Sequence, residues 1–73
     1  MTKYVIYKSE GTASKKYLQT IYRNSTSVSS DIGDAIEYND KELAINTSKY
    51  LSVREKENYK VMSITTTIEE VID

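Results

Sequence analysis

The sequence predicts an α+β fold: a small antiparallel sheet of three or four strands with one helix packed on one face, in the order β-β-(β)-α-β. Three observations carry this. Residues 2–8 (T-K-Y-V-I-Y-K) are dense in β-branched and aromatic side chains. Residues 59–68 alternate Met62, Ile64 and Ile68 with Ser63, Thr65 and Thr67. Between them, residues 40–53 follow a helix-start signal and repeat apolar side chains at helical spacing.

In the first strand, Tyr4 and Ile6 share one face and Val5 and Tyr7 the other, so both faces are apolar and the strand is expected at the sheet centre. Residues 16–23 (K-Y-L-Q-T-I-Y-R) read as the second strand, because Thr20, Ile21 and Tyr22 form helices poorly. Gly11 marks the turn between the two. Residues 24–30 are small and polar and read as a loop. Residues 35–38 (A-I-E-Y) are expected to form a short third strand. Asn39 or Asp40 then caps the helix; with Asn39 as the cap, Glu42 completes a capping box. At about 100° per residue, Leu43, Ala44, Thr47, Tyr50 and Leu51 form the expected core stripe, with Ile45 on the opposite side. Residues 54–58 are a charged connection. The last strand starts at Tyr59 with Met62 and Ile64 facing inward, and its pattern runs on toward Val71 or Ile72.

The chain has 73 residues, expected as one small domain, 1–73. A core of this size supplies roughly 3–5 kcal/mol of net stability. Self-association, including a homo-oligomer formed through an edge strand, is therefore an expected source of further stability. No apolar run approaches the roughly 20 residues that span a bilayer. There is no signal-peptide order at the start, and the absence of Cys suits a reducing compartment. The expectation is a cytoplasmic protein with no membrane partner.

Absent residue types restrict the chemistry further. There is no His, Cys, Trp, Phe or Pro, and all the aromatic residues are Tyr, seven of them. His titrates near neutral pH unaided, and Cys is the strongest neutral-pH nucleophile. Without them a general base must be a strongly shifted Glu, Lys or Tyr. No G-x-S-x-G elbow and no glycine-rich phosphate loop occur, Gly11 and Gly33 being the only glycines. No catalytic residue, cofactor or metal is expected. Asp31, Asp34, Glu37, Asp40 and Glu42 are dense in acid but lack the alternating ligand order of a calcium loop. Asp31 and Asp34 read instead as turn caps.

The net charge of −1 conceals an asymmetry. Residues 1–30 hold Lys3, Lys8, Lys15, Lys16 and Arg23 against Glu10, whereas residues 31–73 hold five cations and ten acids. Two binding readings follow. In the first, tyrosines outside the core act as anchors for a protein partner, since Tyr is a favoured interface residue. The candidates are Tyr7, Tyr17 and Tyr22, with Ile45 and Lys49 on the outer helix face and Asp31 and Asp34 at the acidic turn. In the second, Lys15, Lys16, Tyr17 and Arg23 place cations beside stacking rings for nucleic acid; the sequence pI of about 5.4 weighs against this reading.

The segments Y-V-I-Y-K (4–8), K-Y-L (16–18), S-S-D-I-G-D-A-I-E-Y (29–38), K-E-L-A (41–44) and Y-K-V (59–61) resemble small uncharacterised accessory proteins encoded by phages and prophages of low-GC Gram-positive bacteria. The resemblance implies a protein made during infection. Many such proteins dock stoichiometrically on a host or defence protein, as anti-CRISPR inhibitors do.

Overall fold

The computed structural model describes residues 2–10 and 14–65. Its elements are β1 (Thr2–Glu10), β2 (Ser14–Ile21), β3 (Thr26–Ser29), a 3-10 turn (Ile32–Asp34), α1 (Lys41–Glu55) and β4 (Lys60–Thr65). Among the described residues the strands form one four-stranded antiparallel sheet in the order β3-β2-β1-β4. The α+β class, the single helix on one face and the central position of β1 all follow the sequence reading. No helix of the described residues is long and apolar enough to cross a membrane.

β1 is central because both of its faces are apolar: Val5 and Ile6 are fully buried on opposite sides. It pairs with β2 from Tyr7↔Tyr17 to Glu10↔Ser14, and with β4 from Thr2↔Thr65 to Tyr7↔Lys60. The expected turn at Gly11 and the expected continuation of β4 past Thr65 lie outside the described residues.

Four expectations are corrected. β2 runs two residues earlier than predicted, because Tyr22 N–H donates to the Ser25 carbonyl (2.8 Å) across Arg23–Asn24 and closes a tight hairpin loop. The third strand is residues 26–29, not 35–38. The run T-S-V-S pairs with β2 around a bulge between Leu18 and Thr20, while residues 35–38 add only a bridge, Tyr4↔Tyr38. That bridge has reciprocal 2.8 Å hydrogen bonds, and Ile36 N–H donates to the Leu18 carbonyl (2.9 Å). The segment thus lies against β1 beyond the point where the β1–β2 pairing ends.

The helix face is the third correction. Ala44, Ser48 and Leu51 are buried, whereas Leu43 and Tyr50 are 53% and 62% exposed. The interior stripe is centred on small residues that let the helix approach the sheet, and Ser48 satisfies its hydroxyl on the Ile45 carbonyl (2.8 Å). Ile45 is half-buried and does not face outward. Asp40 is the N-cap, accepting from Glu42 N–H (2.9 Å), so the Asn39–Glu42 capping box does not form.

The fourth correction concerns β4. Ile6, Leu18, Leu51 and Tyr59 form the core cluster, with Ile36, Tyr38 and Val61 packed against it. Val61 pairs with Ile6 and Met62 with Val5. Cross-strand partners share a face, so Val61 points to the helix and Met62 to the other side.

Candidate functional site

Arg54 ties the C-terminal end of α1 to the β2–β3 hairpin. Its guanidinium donates to the carbonyls of Tyr22, Arg23 and Ser25 and to the Glu55 carboxylate, each at 3.1 Å. Glu55 in turn accepts from Thr26 (2.8 Å) and from the Tyr59 hydroxyl (3.3 Å). The hydrogen bond to Glu55 is the main cause that raises the Arg54 pKa above its ordinary value. Burial pushes the Glu55 carboxyl up, but the Thr26 and Arg54 hydrogen bonds, the Arg54 charge and the Tyr59 hydroxyl outweigh it and hold the carboxyl below its usual value. On the other flank of the helix, Tyr38 is pushed up by burial, partly offset by its hydrogen bond with Thr47. These networks are structural. Sequence reasoning placed Arg54 and Glu55 in a charged connection; they are instead the last two residues of α1, held there by these hydrogen bonds.

On its β4 side, the helix leaves an open groove of about 760 Å³. Lys41, Ile45, Ser48 and Lys49 line it from α1, Tyr59 from just before β4, Val61, Ser63 and Thr65 from β4, and Thr2 and Tyr4 from β1. Lys60 also borders it, so the lining holds three lysines and no acid. The spacing is helical: Lys41, Ile45 and Lys49 recur every four residues along one flank. Among the described residues β4 is the sheet edge beside this groove, with β1 as its neighbour on the other side. The arrangement offers strand-pairing groups, an apolar floor and positive charge along one line, which suits an extended acidic peptide segment.

Two of the residues proposed from sequence, Ile45 and Lys49, meet in this groove. The others lie elsewhere. Tyr7 and Tyr17 pair across β1 and β2 with ring centroids 6.4 Å apart. Tyr22 stands in the β2–β3 loop, 54% exposed. Asp31 caps the 3-10 turn by accepting from Gly33 N–H (2.8 Å), and Asp34 accepts from the Ser29 hydroxyl (2.8 Å). The turn-cap reading holds for Asp31; Asp34 is the last residue of the turn and its carboxylate takes the Ser29 hydroxyl instead of capping. Among the described residues no group of His, Cys, Asp or Glu is placed to hold a metal ion. The four residues of the nucleic-acid reading do not share a face: Lys15 and Tyr17 lie on one side of β2, Lys16 on the other opposite Lys8, and Arg23 in the loop.

No family model, no curated protein and no solved structure matches this chain.

Proposed function

We propose that this chain is a non-enzymatic accessory protein of a phage or mobile element that binds a larger host or defence protein and inhibits or modulates it. The observation that carries the reading is the edge strand β4 beside a groove lined by Lys41, Lys49 and Lys60. A strand of the partner adds to β4 through its main chain, while its alternate side chains enter the groove. Acidic side chains meet the lysines, and an apolar one rests between Ile45 and Val61. The protein acts by occupying a surface, the mode in which an anti-CRISPR inhibitor works, and the absence of imidazole and thiol fits that mode. The same edge serves a homo-oligomer if two copies pair β4 to β4.

The test is affinity capture from the native host, with mass spectrometry of the retained protein, using wild type, Ile45→Glu and Lys49→Glu. Each change should weaken the captured complex by about tenfold or more. If nothing is retained, or if the retained protein ignores both changes, the reading fails. Light scattering that finds a dimer, lost in Ile45→Glu, assigns the edge to self-pairing instead.

A further inference from the structure

On the second face of the sheet no helix of the described residues lies; Val5 is fully buried there, and toward the β2 side Tyr7 and Tyr17 are half-buried with Lys15 exposed beside them. Tyr7 and Tyr17 are direct cross-strand partners there, their rings tilted by 47°. The Lys15 ammonium lies 5.4 Å from the centre of the Tyr7 ring. Lys60 is the partner of Tyr7 on the other side, so it borders this face as well as the groove. Alternation also puts Lys3 on this side, where its ammonium bonds Asn39. None of the positions that alternation places on this face of β1, β2 and β4 is acidic. The nearest acid in the bonding pattern is Asp34, held by Ser29 opposite Tyr17 at the β3 rim. A chain of net charge −1 thus gathers lysines around a pair of adjacent aromatic rings.

We infer that this face binds single-stranded nucleic acid, with bases stacked on Tyr7 and Tyr17 and phosphates beside Lys15 and Lys60. Stacking needs only a ring face, so the binding is tolerant of sequence, and the lysines make it salt-dependent. Paired bases in a duplex cannot reach the rings, so single strands are preferred. Asp34 at the β3 rim repels phosphate and directs the strand toward β1 and β4. This set keeps Lys15 and Tyr17 from the sequence-based nucleic-acid reading, replaces Lys16 and Arg23 with Tyr7 and Lys60, and shares only Lys60 with the groove.

The experiment is fluorescence anisotropy with labelled oligo-dT and oligo-U of about 12 nucleotides, and a duplex of equal length, at about 50 mM salt. Both single strands should bind and the duplex should bind more weakly. Tyr7→Ala, Tyr17→Ala and Lys15→Glu should each lower affinity roughly tenfold, while Tyr7→Phe and Tyr17→Phe keep it, because the ring and not the hydroxyl does the stacking. The Phe variants and Lys15→Glu guard against a loss caused by misfolding, which circular dichroism checks. Asp34→Asn should tighten binding. Lys41→Glu and Lys49→Glu, which test the groove, should weaken single-strand binding far less than Lys15→Glu. Absence of single-strand binding, or binding indifferent to Tyr7, Tyr17 and Lys15, overturns the inference. So does a captured protein that is lost in Tyr7→Ala and Tyr17→Ala while the oligonucleotides do not bind.

Discussion

Arg54 uses four of its five N–H donors on one hairpin and one carboxylate, and its Nε, buried beside them, has no hydrogen-bond partner among the described residues. Its guanidinium carbon also lies 5.6 Å from the centre of the Tyr50 ring, a cation–π contact. Lysine carries the same charge but cannot span three carbonyls at once. Arg54→Lys should therefore lower stability by about 1–3 kcal/mol in urea denaturation; an unchanged midpoint would show that the clamp is ornamental. Glu55 gives the matching pH dependence. A carboxyl held below its ordinary value of 4.5 stabilises the fold above that pH and loses the effect as pH falls through the folded-state pKa. The stability difference between wild type and Glu55→Gln should accordingly be largest near neutrality and shrink below about pH 4.5. A difference that stays constant down to pH 3 would refute the linkage.

At the scale of elements, the helix ends show how local chemistry sets boundaries. Asp40 starts α1, and Lys56 stops it in a left-handed conformation, φ 55° and ψ 42°. Ser52 then gathers the exit: its carbonyl accepts from Lys56 and Glu57, and its hydroxyl accepts from Tyr59 N–H (3.0 Å). Glycine adopts this conformation without the steric cost that Lys56 carries, so Lys56→Gly should raise the unfolding free energy by about 0.5–1 kcal/mol in urea denaturation. The capped helix, β1 and the start of β4 were legible because propensity and pattern agree there. β3 was not, because T-S-V-S offers a single apolar residue, and an edge strand paired on β2 needs no hydrophobic period. The helix interior was misread for a related reason: hydropathy ranks Leu43 and Tyr50 above Ser48, but close approach to the sheet favours the small side chain. Of the proposed site, Ile45 and Lys49 were found on a wrong argument. They were assigned to an outward face and instead line the groove, a shape that depends on where β4 lies and leaves no mark in local sequence.

For the molecule as a whole, the misplaced stripe has a consequence of its own. Leu43, Tyr50 and Val53, the last 81% exposed, lie along the outer side of α1. Among the described residues they contribute little to the core. Replacing Leu43 and Val53 together by Lys should leave the melting transition within about 0.5 kcal/mol of wild type. Exposed apolar side chains of this kind favour association, so sedimentation at high concentration should find the double variant no more self-associated than wild type. A large drop in melting temperature would mean that the stripe is interior after all. The sheet order sets a further constraint, on the timing of folding. Among the described elements the central strand comes first in sequence, yet its partner β4 and the core residues Leu51 and Tyr59 come much later in the chain. While the ribosome is still adding residues before Tyr59, Ile6 has no complete pocket to enter, so the nascent chain emerges unfolded and closes only after that point.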